Sequence, residues 1–114
     1  MLNSGDVVTL DLGPPSGREA GRRRPAVVVT AERLLETSPS VVHVVPLTTT
    51  LRGFGSEVAI EPDGSNGLRR PSAAQCQHVR AVSIDRVDRI VGNVGSIVLA
   101  EVRETLGLIL DIPS

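Results

Sequence analysis

Apolar residues in the first three quarters of the chain fall into short runs separated by turn-forming residues. Val, Ile and Leu dominate the runs, and Gly, Pro, Asn and Asp lie between them, a pattern typical of β-strands joined by turns. Strands are predicted over residues 6–12, 25–30, 41–47, 57–61, 73–82 and 89–91. Residues 31–36 are expected to form a short helical turn, which Pro39 closes.

Only the C-terminal segment has a helical period. Ser96 can cap its start, and its apolar positions on one face are Leu99, Val102, Leu106, Ile109 and Leu110. Several short strands followed by one helix indicate a small β-barrel with a helix packed on it. Because the chain is short and its strands are rich in Val, we expect some apolar surface to be buried between subunits.

Composition narrows the class of protein. A length of 114 residues predicts one domain, residues 1–114, and the single Phe leaves Val, Ile and Leu to build the core. The net charge of −1 argues against general electrostatic binding of nucleic acid. Cys76 is the only cysteine, so no disulfide framework and no cysteine-based zinc site is expected. Neither a leader segment nor a run of membrane-spanning length is present, which indicates a cytoplasmic protein.

A cluster of cations and hydroxyls marks the ends of two predicted strands. Arg22, Arg23 and Arg24 precede the strand at 25–30, and Thr48 ends the strand at 41–47. A ribonuclease that uses no metal must stabilise a charged phosphorane, and a guanidinium and a hydroxyl can both do so. Arg24 and Thr48 are therefore candidate catalytic residues. The alternative is that the arginines solvate a loop and Thr48 merely ends a strand.

A second candidate site lies in the predicted strand at 73–82. Strand alternation would place His78 and Arg80 on one face and Gln77 on the other. A histidine beside a fixed cation can act as an acid or a base near neutral pH. The alternative is a structural histidine hydrogen-bonded at a barrel edge. No group of His, Asp and Glu has metal-ligand spacing, so no metal or cofactor is expected.

The order of these elements resembles the MazF/PemK family of toxins from type II toxin–antitoxin pairs. The matching segments span nearly the whole chain: Gly5-Asp6-Val7, Asp11-Leu12, Gly17-Arg18-Glu19, Arg24-Pro25, Pro46-Leu47-Thr48, Gly67-Leu68, Pro71-Ser72, Gln77 to Arg80 and Arg86-Val87. Each segment is weak evidence alone, but their order and spacing together are specific.

The resemblance implies an SH3-like barrel with a C-terminal helix, usually a homodimer. It implies sequence-specific, metal-independent cleavage of single-stranded RNA, which leaves a 2′,3′-cyclic phosphate and a 5′-hydroxyl in most members. By position, Arg24 takes the catalytic arginine role and Thr48 the catalytic hydroxyl role. The residues expected to contact RNA are Arg18, Glu19, Arg22, Arg23, Pro46, Gln77, His78 and Arg80. A MazE-like antitoxin with an acidic, disordered tail would block the groove.

Some positions depart from the family pattern. Arg18 replaces a usual serine, and His78 stands where a Gln is common, which would add a titratable group at one subsite. The alternative function is a non-enzymatic toxin of the same fold that poisons a protein such as DNA gyrase, as the CcdB family does. The C-terminal segment 110–114 lacks the bulky aromatic residue expected for that activity. A catalytically silent RNA-binding relative is a third alternative.

Overall fold

The computed structural model describes residues 1–14, 17 and 22–113, in which antiparallel strands precede a C-terminal helix. The strands are β1 (Asp6–Asp11), β2 (Arg23–Val28), β3 (Val41–Thr48), β4 (Glu57–Ile60), β5 (Ser72–Gln75), β6 (Arg80–Ser83) and β7 (Val87–Asn93). The helices are α1 (Glu32–Leu35) and α2 (Gly95–Ile109). The prediction of a mainly β fold with a C-terminal helix is confirmed.

The sheet has the strand order β4-β5-β3-β2-β1-β7, and β6 also pairs with β3. Strand β3 therefore has β2 on one edge and both β6 and β5 along the other. Its first half, Val41 to Val44, pairs with β6, and its end, Leu47 and Thr48, pairs with β5. Among the described strands, β4 and β7 are the two ends of the strand order and do not pair with each other, so the sheet is open and a barrel describes it only loosely.

The central strands are buried on both faces. One cluster of buried residues includes Val7, Val27 and Val45 and is covered by α2. The other includes alternate residues of the same strands, among them Val8 and Val44, and contains Leu35 of α1, with Leu2 packed against it. This explains the nearly continuous β-branched runs, because a strand with two buried faces has no solvent-facing positions to alternate with.

The predicted strand at 73–82 is wrong as a single element. The chain forms β5, then a 3-10 turn at Cys76–His78, then β6. Cys76 is fully buried, and its backbone N–H donates to the carbonyl of Ser56 at 3.1 Å. Strands β5 and β6, on either side of this turn, both pair with β3. The alternation of apolar and polar residues in the sequence does not reveal the turn between them.

Helix α2 also differs from the prediction at both ends. It begins at Gly95, so Ser96 lies inside the first turn; the side chain of Asn93 accepts from the Gly95 N–H at 2.7 Å. Val102 is fully buried, whereas Ile109 and Leu110 are exposed rather than packed in the core. Within the described residues, neither helix combines the length and apolar character needed to cross a membrane.

Candidate functional site

Arg24 and Thr48 lie on the same face of the sheet. In the β2–β3 ladder Ala26 is opposite Pro46. Arg24 and Thr48 each lie two residues beyond this pair in their own strand, so they project to the same face as Ala26 and Pro46. Directly opposed residues project to the same face. The sequence placed these two side chains at strand ends, and the pairing of β2 with β3 shows that they share a face of the sheet.

Arg24 is fixed by a residue from a third strand. Its Nη1 donates to Oε1 of Gln75 at 3.1 Å. Gln75 ends β5, on the far side of β3 from β2, and is only 4% exposed. The Arg24 side chain therefore reaches across β3, the strand that carries Pro46 and Thr48. Within the described residues, the guanidinium donates this one side-chain hydrogen bond, to the Gln75 amide, and its other N–H donors can bind a ligand.

The Thr48 hydroxyl is oriented by the turn that follows it. Its Oγ1 accepts from the backbone N–H of Thr50 at 3.1 Å. Because the oxygen already accepts one hydrogen bond, the hydroxyl proton remains available to donate to an anionic oxygen. Thr48 is half-buried at the end of β3. A donor in this position suits a non-bridging phosphate oxygen.

Pro46 and Arg80 share this face. Pro46 is fully buried between Val44 and Thr48 in the β3 row that faces Arg24. Arg80 is opposite Val44 in the β3–β6 ladder, and its Nη1 donates to the carbonyl of Leu12 at 3.3 Å. That bond attaches Arg80 to the point where β1 leads into the arginine-rich loop. Arg80 thus adds a second cation to the face that carries Arg24.

The two described arginines that precede Arg24 in the sequence do not project with it. Arg23 projects to the opposite face of β2 and forms an ion pair with Asp88 of β7. Arg22 is exposed in the left-handed region, with φ of 66°, and its carbonyl accepts from the Leu12 N–H at 3.0 Å. Arg18 and Glu19 lie outside the described residues. Alternation along β2 explains the split, because neighbouring strand residues project to opposite faces.

The 3-10 turn changes the expected positions of Gln77 and His78. The prediction that His78 shares a strand face with Arg80 is wrong, because residues 76–78 are not extended. Gln77 is exposed, and its Nε2 donates to Oε2 of Glu57 at 2.7 Å. His78 is half-buried at the end of the turn. This hydrogen bond fixes the Glu57 carboxylate, and Glu57 is directly opposite Gln75 in the β4–β5 ladder.

Gln75 and Glu57 are the residues that the sequence did not reveal. They are directly opposed in the β4–β5 ladder. Glu57 begins an apolar strand and Gln75 lies in a run of small residues, so neither has a local pattern that indicates a site. Val58 and Ala74, their neighbours in sequence, belong to the core cluster covered by α2, so Glu57 and Gln75 project to the other face of the sheet. Only the pairing of β5 with β3 shows that Arg24 is on that face.

The described residues include no group of three His, Cys, Asp or Glu side chains arranged to hold a metal ion. Cys76 is also a poor nucleophile, because burial raises its pKa to about 11. The charge of Glu57 adds to this rise, while a backbone hydrogen bond opposes it. The face described above offers a guanidinium and a hydroxyl, two groups that can donate hydrogen bonds to an anionic phosphorus centre.

Comparison with known proteins places this geometry in a family. Residues 3–110 match the model of the PemK-like, MazF-like toxin of type II toxin–antitoxin system. Endoribonuclease MazF9 of Mycobacterium tuberculosis is 32% identical over 116 aligned residues, which cover 98% of each chain. Probable endoribonuclease MazF5 of the same organism is 33% identical over 89 residues, which cover 78% of this chain and 80% of MazF5.

Solved structures agree with that match. MazF from Deinococcus radiodurans superposes with a TM-score of 0.80 at 28% identity, covering 97% of each chain. A MazE–MazF structure from the same organism gives a TM-score of 0.75 at 27% identity, covering 98% of this chain and 97% of that one. With the family model matched along nearly the whole sequence, the chain belongs to the PemK-like, MazF-like toxins of type II toxin–antitoxin systems.

Proposed function

We propose that this protein is a toxin endoribonuclease that cleaves single-stranded RNA at specific sequences without a metal ion. The observation that carries the proposal is the Arg24 guanidinium, held at 3.1 Å by Gln75 across the strand that carries Thr48. The similarity to proteins named endoribonucleases supports it. Chain cleavage by attack of the 2′-hydroxyl on the adjacent phosphorus would leave a 2′,3′-cyclic phosphate and a 5′-hydroxyl.

Arg24 and Thr48 both donate hydrogen bonds to the phosphate in this proposal. The free guanidinium donors of Arg24 bind the non-bridging oxygens as negative charge builds on them, and the Thr48 hydroxyl donates to the same centre. Arg24 is half-buried, which lowers the local dielectric and strengthens this interaction. A guanidinium at its ordinary pKa is a poor base, so its role is to stabilise charge and to guide proton transfer.

An antitoxin would act on the same face. Arg80 and Arg24 present positive charge there, and an acidic, disordered segment that folds onto them would exclude RNA. The similarity of the fold to a MazE–MazF structure supports a partner of this kind. Cytoplasmic localisation follows from the same proposal, because the RNA substrate and the antitoxin are found there.

The test is cleavage of a long single-stranded RNA in EDTA, with cuts mapped by primer extension. We expect Arg24→Ala and Thr48→Ala each to lower the cleavage rate roughly 10²–10³-fold, the loss typical of removing one donor to a charged transition state. Arg33→Ala is the matched control, since Arg33 is exposed on α1. Thermal unfolding followed by circular dichroism establishes that the variants fold.

The outcome separates this function from its rival. Discrete cuts at a repeated short motif, lost in both variants and kept in Arg33→Ala, support the ribonuclease. Full activity in Arg24→Ala and Thr48→Ala would contradict the assignment of the site. Intact RNA together with a tightly bound host protein such as DNA gyrase would favour a non-enzymatic, target-binding toxin.

A further inference from the structure

The carboxylate of Glu57 is buried with half of its hydrogen-bonding capacity unused. The side chain is 2% exposed. Its Oε2 accepts from Gln77 Nε2 at 2.7 Å and lies 3.7 Å from Nη1 of Arg52. Its Oε1 is buried and has no hydrogen-bond partner among the described residues. A buried carboxylate oxygen without a donor is unfavourable, so Oε1 is suited to accept from a ligand.

The position of Glu57 connects it to the phosphate-binding face. Glu57 is directly opposite Gln75, whose amide oxygen binds Arg24. The two side chains project to the same face, so Glu57, Gln75 and Arg24 form a polar row across the sheet. A nucleotide whose phosphate is bound by Arg24 would place a neighbouring base toward the Glu57 end of this row.

The segment beside Glu57 contains a surface for stacking a base. Phe54 is the only aromatic residue in the sequence, and it is 53% exposed. The guanidinium of Arg52 lies 5.8 Å from the centre of its ring. The Phe54 carbonyl accepts from the Glu57 N–H at 3.0 Å, and the Arg52 guanidinium lies near both the Phe54 ring and the Glu57 carboxylate. Exposed aromatic and guanidinium planes stack single-stranded bases.

We propose that Glu57 is a specificity-determining residue that reads one base next to the cleaved phosphate through Oε1. The inference rests on the proposed ribonuclease function. A carboxylate only accepts hydrogen bonds, so it selects a base with an amino group on its Watson–Crick edge: guanine, cytosine or adenine. Uracil is disfavoured, because carbonyl oxygens flank its N3–H and would face the carboxylate. The Arg52 side chain is 44% exposed and its ion pair to Glu57 is long at 3.7 Å, so a base that displaces this guanidinium gains access to the Glu57 carboxylate.

The first test compares the cut sites of wild type and Glu57→Gln in a randomised RNA pool. Wild type should require an amino-bearing base at one position near the cut. Glu57→Gln should lose that preference by about ten-fold or more, because the amide oxygen stays on the Gln77 donor and the amide NH2, itself a donor, takes the place of Oε1. Glu61→Gln is the matched control, since it removes a carboxylate that is exposed just beyond β4 and should leave the preference unchanged.

The second test uses the wild-type protein alone and does not depend on how the variant folds. At the preferred position, the base is replaced by its analogue without the amino group: inosine for guanosine, purine riboside for adenosine or pyrimidin-2-one riboside for cytidine. Loss of the donor should lower kcat/KM about ten-fold or more. Because the protein is unchanged in this test, a difference in cleavage between the natural base and its analogue reports on the missing amino group and not on protein folding.

The results distinguish the inference from the function on which it rests. If wild type cleaves RNA but accepts uracil at every position, or cleaves the analogues equally well, the role of Glu57 is overturned while the ribonuclease stands. An unchanged preference in folded Glu57→Gln also overturns it. If wild type cleaves no RNA at all, the proposed ribonuclease function is overturned, and the role of Glu57 is overturned with it.

Discussion

Gln75 is the residue on which the position of the Arg24 side chain depends. Its amide oxygen is the acceptor at 3.1 Å from Arg24 Nη1, and at 4% exposure it has little freedom to move. Long arginine side chains lose considerable rotamer entropy when they bind. By fixing the guanidinium in advance, Gln75 lets a phosphate bind without that loss.

We expect Gln75→Leu to lower kcat/KM about ten-fold or more, because a hydrogen bond to a charged group contributes about 1.5–3 kcal/mol. Gln75→Glu should also lower the rate, since a carboxylate would hold Arg24 but compete with the phosphate for its charge. The measurement is steady-state cleavage of a short RNA that contains the mapped site.

The double variant decides whether Gln75 acts through Arg24. In the Arg24→Ala background, Gln75→Leu should change the rate very little, because the group that it positions is already absent. Additive losses in the double variant would mean that Gln75 contacts the substrate or acts by another route.

At the scale of elements, the 3-10 turn at Cys76–His78 connects the site to the core. Cys76 is fully buried against α2, with its Sγ 3.9 Å from the carbonyl of Val102. Its neighbours Gln75 and Gln77 bind Arg24 and Glu57. A shift of this turn would therefore move the acceptor for Arg24 and the donor for Glu57 together.

Burial of this turn predicts how stability changes at alkaline pH. The pKa of Cys76 is raised from 9.0 to about 11, first by burial and then by the charge of Glu57, against a backbone hydrogen bond that lowers it. Well below pH 9.0 the thiol is protonated in both the folded and the unfolded chain. Above that value the unfolded chain loses the proton first, so the free energy of unfolding falls by about 2 kcal/mol by about pH 10.5.

Urea denaturation at several pH values measures this effect. The sequence contains neither Lys nor Tyr, so Cys76 is the side chain expected to titrate in this window. Cys76→Ala is less stable overall through the lost packing, but its free energy of unfolding should stay nearly constant over the same pH range. An equal alkaline slope in wild type and variant would contradict the prediction.

At the scale of the whole molecule, the described chain leaves apolar side chains exposed at one end of α2. Leu108 is 77% exposed, Leu110 57% and Ile112 59%. Large exposed apolar side chains this close together in sequence are candidates for an interaction surface. We propose that a second copy of the chain covers these side chains, in line with the homodimer that the family resemblance implies.

Sedimentation equilibrium tests this assembly. We expect a dimer for wild type at micromolar concentration and a shift toward monomer for Leu108→Asp, because a charge at a covered apolar position is strongly unfavourable. Leu34→Asp is the control, since Leu34 is similarly apolar and exposed but lies on α1. A monomeric wild type, or a dimer unchanged by Leu108→Asp, would contradict the proposed interface.

Much of the architecture is encoded in local sequence patterns. The β-branched runs predicted the central strands, and the helical period predicted α2, because burial and backbone preference act over a few neighbouring residues. Arg24 and Thr48 could be singled out in the same way, since their residue types and their places at strand ends already suit phosphate chemistry. The order of short motifs was sufficient to indicate the family, which the match over residues 3–110 confirmed.

Tertiary structure alone decided which polar residues meet. Gln75 and Glu57 have no distinctive local pattern, and their contacts with Arg24 and Gln77 depend on strands far apart in sequence. The break at residues 76–78 likewise depends on how the sheet bends around β3. Periodicity along a chain records which face a residue occupies within its own strand, whereas strand pairing and bending determine which other residues share that face.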